Sequence, residues 1–380
     1  VSYIQDVTLV NNLHFDDKEL FFIGGASIYD YAIDRVDTIY ATVIEKEWDC
    51  DTHFPVDKLK NFEISEYSPR HFSEKENCHF RYITYTRRPA HIHHIEQPYL
   101  DLMKDIIENG KYRPDRTGVG TKAVFARQLR FDLKGGKVPI VTTKQLAWRT
   151  VLKELLWFLK GDGNSKNLES QGVNIWKGNT SRDFLDKRGL VDYEEGDMGP
   201  LYSHSLRFYG AEYTGCDTDY TGQGFDQVTN LIEGLKTDPY SRRHLITTFN
   251  PAVVDKCALM PCHGIAIQFY VDGDYLDCHV YCRSSDVFLG LSFNIASYAF
   301  LTHIIAKKTN MQPGELIVST GDTHLYKNHI DQSMQQLSRQ PFPSPIFVVN
   351  HDKPFDQMSL TDFDLVGYLH HPSISAPMAV

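Results

Sequence analysis

Basic residues are in short supply. Lys and Arg number 39 against 49 Asp and Glu, a formal net charge of −10 over 380 residues. A general nucleic-acid binder needs a broad basic surface to displace counterions, so no DNA partner is expected. A site for one phosphate needs only a few arginines and stays open. The opening Val1-Ser2-Tyr3-Ile4-Gln5-Asp6 has no basic stretch followed by an apolar core, so no signal peptide is read. It also has no initiating Met, and the chain is expected to be a piece of something longer. Internal repeats and low-complexity tracts are absent, which argues against solenoids and linker-rich chains. There is no full G-x-G-x-x-G, and Gly24-Gly25 alone is weak support for a dinucleotide site. Cys257, Cys262, His263, Cys278 and Cys282 lack the x2 spacing of a zinc knuckle, so no metal site is expected. From Val287 to Ala306 there is no Asp, Glu, Lys or Arg. A run of ~20 residues can span a bilayer, but Ser292, Asn294, Ser297, Tyr298, Thr302 and His303 interrupt it. A buried helix of a soluble core is the expected outcome, with no membrane partner.

What is present is a large core. Hydrophobic residues make up 42% of the chain, and its length suits two domains. The seven cysteines are odd in number and irregularly spaced. That usage fits a reducing, cytoplasmic setting. Strands are expected at 38–43 and 80–86 and a short apolar run at 20–23. Tyr99, Leu102, Met103 and Ile106 recur at helical spacing, stopped by Asn109-Gly110. A second helix is expected over 150–159. The polar, Pro-containing stretch from Arg87 to His94 marks a boundary.

Chemistry concentrates in the second part. Cys262 is followed by Arg283-Ser284, Asp286, Asn294, and His324 with Tyr326. A thiolate is the reactive form of cysteine and a nearby cation favours it, a role open to Arg283. Glu154 shares a helical face with Val151, Leu155 and Phe158. A carboxylate there is costly unless paired or used, and the pattern alone does not decide between a buried ion pair and a functional acid. Arg116, Arg242, Arg243 and Arg283 fall in three segments, a pattern suited to gripping a phosphate.

Residues 95–380 resemble thymidylate synthase. The resemblance rests on Asp115-Arg116-Thr117-Gly118-Val119-Gly120-Thr121, Glu154 to Gly161, Asn174-Ile175-Trp176, Asp197 to Tyr202, Ser241-Arg242-Arg243, Pro261-Cys262-His263, Arg283 to Gly290, Phe293 to Tyr298, Gly321 to Tyr326 and Ala376 to Val380. Residues 1–88 resemble the C-terminal half of dihydrofolate reductase, through Phe22 to Tyr29 and Asp49 to Pro55. The order is that of a bifunctional fusion whose reductase lacks its N-terminal half, with 89–94 as a short linker. The resemblance implies an α+β thymidylate synthase fold. A large mixed sheet would pack with helices and use one face for dimerisation, preceded by a partial α/β reductase domain.

It also implies reductive methylation of dUMP to dTMP by 5,10-methylenetetrahydrofolate. NADPH would enter only with a complete reductase domain, and no reductase activity is expected of this chain. Cys262 would be the nucleophile, with Glu154, Asn294, Asp286, Arg283 and Tyr202 in the catalytic set. Arg116, Arg283 and Ser284, with Arg242 and Arg243 from the second subunit of a homodimer, would hold the phosphate. Asn294 would select uracil, and His324 and Tyr326 would hold the ribose. Trp176, Asp286, Leu289, Gly290 and Val380 would line the folate side. The sequence departs from the family pattern at Ser203-His204-Ser205-Leu206, Cys282 and Ser292, positions that bear on packing around the nucleotide. One alternative is a chain whose reductase part is a non-catalytic interaction module. A zinc deaminase is rejected because Pro261-Cys262 lacks the second cysteine of P-C-x-x-C.

Overall fold

The structure is a computed structural model that describes residues 19–378. The chain divides into two compact units. One takes the described residues up to His94 together with Gln340–Ser344, and the other takes Ile95–Arg339 and the residues from Pro345 onward.

In the first unit the apolar run at 20–23 is irregular, and the helix Ala26–Ala32 follows it directly. The strands are β1 Thr38–Ile44, β2 Phe62–Tyr67, β3 His71–Ser73 and β4 Cys78–Arg87. β4 is central and pairs antiparallel with the other three. Its alternation places Ile83 and Tyr85 inside and Tyr82 outside, as a strand with one buried face requires. The register sets Tyr40 opposite Thr84 and Thr42 opposite Tyr82. Tyr40 and Tyr82 are therefore diagonal neighbours on one face, and both are exposed.

The second unit holds the larger core. The helix Gln97–Asn109 buries Tyr99, Leu102, Met103 and Ile106 and stops at Gly110, as its spacing predicts. A six-stranded mixed sheet contains β5 Lys111–Arg113, β6 Thr121–Asp132, β7 Leu245–Thr247, β8 Ala266–Asp272, β9 Tyr275–Asp286 and β10 Gln312–Tyr326. The strand order is β5-β6-β10-β9-β8-β7. Only β9 and β10 run parallel; the other pairs are antiparallel. A separate hairpin joins β11 Ile346–Val349 to β12 Phe363–Val366.

The two faces of the sheet differ. Leu276, Cys278, Val280 and Cys282 of β9 point into the core, as do Ile267, Phe269 and Val271 of β8. The alternate positions Tyr270 and Tyr281 are exposed. On the inner face lies the helix Ser292–Lys308, packed on β9 and β10. It is buried nearly all round, with the Phe300 ring tilted against Phe347, centroids 4.3 Å apart. Phe300→Ala would cost about 3–5 kcal/mol through the cavity it leaves. By length and composition Val287–Lys308 is apolar enough to cross a membrane, but most of it is buried in this unit.

That segment is not the single uniform helix its composition suggests. Val287–Leu291 forms a π-helical turn before the α-helix begins. Such a turn changes the backbone pairing and leaves groups to be satisfied by other partners. Asp286 accepts hydrogen bonds from the Phe288 and Leu289 N–H groups at 3.1 and 3.3 Å. Tyr99 donates to the Val287 carbonyl at 2.9 Å, and Lys144 donates to the Phe288 carbonyl.

Candidate active site

Glu154 lies inside the helix Trp148–Lys160, whose residues from Val151 to Leu159 are buried except Lys153. The helix ends at Gly161, in the left-handed region at φ 80°, where glycine relieves the Cβ penalty. Among the described residues no ion pair reaches Glu154. Its side-chain hydrogen-bond partner among the described residues is the Trp176 indole, which donates to Oε1 at 2.7 Å. Burial pushes the Glu154 carboxyl up to about 7, with the indole acting weakly against it.

Tyr202 links Glu154's side of the site to the thiol. Its ring meets Phe158 at 5.1 Å and Trp176 at 6.2 Å. Its hydroxyl accepts the Cys262 N–H at 3.1 Å and lies 3.6 Å from Cys262 Sγ. Since the oxygen is accepting from the backbone, its own hydrogen is free to turn to the sulfur. Burial raises the Cys262 thiol above its ordinary value, while Tyr202 and the Arg283 guanidinium pull it down. The cation anticipated beside the thiol is therefore present, but desolvation outweighs it in the free protein. By contrast Cys257, Cys278 and Cys282 are pushed up to about 12 by burial. All seven cysteines are free, and among the described residues no group of three or more His, Cys, Asp or Glu could hold a metal ion.

The turn after Cys262 needs Gly264. Its φ is +61°, and a Cβ there would lie 2.2 Å from the Tyr298 hydroxyl. With no Cβ there, the Tyr298 hydroxyl has room to lie 2.7 Å from His263 Nδ1. His263 stacks on Tyr202 with ring centroids 4.5 Å apart, and burial lowers its pKa to about 4. A neutral, doubly supported imidazole thus backs the Tyr202 ring. His263 and Tyr298 were visible in the motifs, but their contact spans 35 residues and has no local signature.

The rest of the predicted set falls at the sheet ends and in two loops. Arg283 is exposed and donates from Nε to the Pro261 carbonyl at 3.1 Å. Ser284 N–H donates to the Cys262 carbonyl at 3.3 Å. Asn294 is half-buried in the first turn of Ser292–Lys308, and its side chain has no hydrogen bond among the described residues. Parallel pairing sets His324 beside Asp286. His324 Nδ1 is 2.8 Å from Asp322, and its ring meets Tyr326 edge-on at 5.3 Å. The Arg116 loop is shaped by Asp115, which accepts from the Thr117 and Gly120 N–H groups at 2.8 and 2.6 Å. Lys327 N–H to the Gly120 carbonyl ties that loop to the end of β10. Arg116 is exposed, and its charge acts on Tyr326. Leu289 and Gly290 lie in the π-helical turn.

Arg242 and Arg243 do not join this group. Both are exposed, and Arg243 lines a separate cleft with Asn230, Thr237, Ser241 and His244. Val380 lies outside the described residues. The departures at 203–206, Cys282 and Ser292 are all buried. Next to them, Arg207 pairs with Asp226 through two bonds of 3.1 and 2.9 Å. These changes therefore act on packing.

With this geometry in place, comparison with known proteins gives one consistent result. The family model for thymidylate synthase matches residues 97–380, and that for dihydrofolate reductase matches 1–87. A bifunctional dihydrofolate reductase-thymidylate synthase of Leishmania major is 40% identical over 372 residues, covering 95% of this chain and 71% of the relative. A thymidylate synthase of Saccharomyces cerevisiae is 49% identical over 296 residues, covering 75% of this chain and 97% of the relative. A bifunctional relative from Paramecium tetraurelia is 38% identical over 369 residues, covering 96% of this chain and 79% of the relative.

Proposed function

The chain belongs to the thymidylate synthase family, within its bifunctional reductase-synthase group, and from that premise we propose how its own residues perform the reaction. The reaction is reductive methylation of dUMP to dTMP. 5,10-Methylenetetrahydrofolate supplies both carbon and hydride and leaves as dihydrofolate. NADPH belongs to the reductase activity and requires a complete reductase domain.

The single observation that carries the site assignment is the Tyr202 hydroxyl 3.6 Å from Cys262 Sγ, on the same side as the sparingly partnered Glu154. Cys262 adds to C6 of the pyrimidine, and C5 becomes nucleophilic as the ring takes up charge. Tyr202 and Arg283 favour the thiolate during that step. The unpartnered amide of Asn294 pairs with the uracil edge, which a site built for hydrogen bonding selects strongly. Glu154, poised near neutrality, moves protons through water to and from the ring. Arg116, Arg283 and Ser284 hold the phosphate, and His324 and Tyr326 the ribose. Trp176, Asp286, Leu289, Gly290 and Val380 take the folate.

We assign residues 1–88 to a reductase-like domain, 89–94 to a linker and 95–380 to the synthase, working in the cytoplasm. Dimers are typical of the family. Here Arg242 and Arg243 have no ion pair among the described residues, and the outer sheet face exposes Tyr270 and Tyr281. We place the interface on that face, with both arginines completing the partner's phosphate site. The test is a mixture of Arg242→Ala with Cys262→Ala chains. Each is inactive alone, and the heterodimer recovers activity because one of its sites is intact. No recovery from heterodimers shown to have formed would refute the shared site. Loss of dTMP formation in Cys262→Ala is the test of the nucleophile itself.

A further inference from the structure

We propose that His329 is a positioning residue that latches the segment around Pro377 to Asp286, and so favours folate binding; this rests on the assignment of Asp286 to the folate side. His329 follows β10 and is fully buried. Its Nε2 lies 2.7 Å from the Pro377 carbonyl. A carbonyl only accepts, so Nε2 carries the hydrogen. That fixes the role of the other nitrogen. Nδ1 is buried without a hydrogen bond and faces Asp286 Oδ1 at 3.8 Å.

A neutral ring would aim its lone pair at a carboxylate, which is repulsive away from water. A second proton makes the same contact attractive. The imidazolium then touches Asp286 on one side and Pro377 on the other. The groups facing it are Asp286 from β9, Lys144 from the stretch before Trp148–Lys160, and Tyr326 from β10, with the Phe288 ring 5.5 Å away. Burial and Lys144 oppose its charge. Asp286 and the Pro377 carbonyl more than offset them, so the pKa rises above the ordinary histidine value.

The segment is anchored upstream by groups of a different kind. His371 N–H donates to the Thr142 carbonyl at 2.8 Å, and Arg339 donates to the Pro372 carbonyl at 2.7 Å. A backbone amide and an arginine do not titrate near neutrality. Of these three anchors, His329 is the one that does. Its stabilising charge is present below the folded pKa and is lost as pH rises through it.

The test pairs kinetics with amide exchange. His329→Phe should raise the KM for 5,10-methylenetetrahydrofolate roughly tenfold or more, with kcat much less affected. His329→Gln keeps a donor for Pro377 without a charge. It should give a smaller rise and remove the increase in KM that the unmodified protein shows with rising pH. In the unmodified protein, exchange protection of residues 371–378, corrected for intrinsic rates, should fall over the same pH range, and in His329→Gln it should not. KM values and pH profiles equal to the unmodified protein in both variants would overturn the latch. Protection of the unmodified protein that does not change with pH would do so even if both variants failed to fold. The exchange result needs no turnover, so a failure of the functional assignment is distinguishable from a failure of the latch.

Discussion

Glu96 and Glu154 are both buried carboxylates in the second unit, 1% and 7% exposed, and burial raises both pKa values. Their partners differ. Glu96 Oε2 accepts from the Thr142 N–H and hydroxyl, both at 2.8 Å, and Oε1 accepts from the Thr143 N–H and hydroxyl. Gln336 in turn donates to the Thr143 hydroxyl at 2.8 Å. Glu154 has the Trp176 indole. A buried polar group with its partners supplied by the protein holds backbone in place. One left short of partners is kept for water or a ligand. Burial alone does not separate structure from function; the list of donors does.

The largest test of this contrast is kinetic. Glu154→Gln preserves shape and the contact with Trp176 but cannot carry a proton, so kcat should fall by about 10²–10⁴-fold. Its melting temperature should hold or rise. A kcat within a few-fold of normal would place Glu154 with Glu96 as a structural group. Next comes Glu96→Ala, which strands two hydroxyls and two N–H groups in the core. It should lose about 3–5 kcal/mol in denaturant titration, with kcat close to normal at a temperature where it is folded. A large kcat loss without destabilisation would erase the distinction.

Glu154 also leaves a mark on stability against pH. Its folded carboxyl lies near 7, above its ordinary value of 4.5, so the folded state binds the proton more tightly than the unfolded state. Stability should therefore fall as pH rises from about 4.5 to 7 and level off above, by up to about 3 kcal/mol from this group. Glu154→Gln should flatten that part of the curve, and equal slopes would contradict the assignment. The smallest effect belongs to Trp176→Phe. It removes the donor that holds Glu154 down, so the acid limb of kcat should move to higher pH by less than about a unit. A shift to lower pH would show that the indole bond does not reach the ionised carboxyl.

Much of this was legible in the sequence, and the exceptions share a cause. Tyr99, Leu102, Met103 and Ile106 announced their helix because periodicity is local. Cys262, Arg283 and Asn294 stood out as chemical types at motif spacing. Glu154 was ambiguous because an ion pair and a lone acid look alike in one helix, and what separates them is that no cation among the described residues pairs with it. Glu96, Lys144 and His329 carried no signal. Their partners lie at Thr142, Phe288 and Pro377, separations of 46, 144 and 48 residues. The π-helical turn at Val287–Leu291 was hidden for a related reason: an apolar run of uniform composition has no period to break.

The central claim is that Cys262 is the nucleophile of a dUMP-methylating site. Its most direct test is incubation with 5-fluoro-dUMP and 5,10-methylenetetrahydrofolate, followed by mass measurement of the intact protein and its peptides. One covalent adduct should form per chain, on the peptide carrying Cys262, and none should form in Cys262→Ala. No adduct, or an adduct on Cys257, Cys278 or Cys282, would contradict the account.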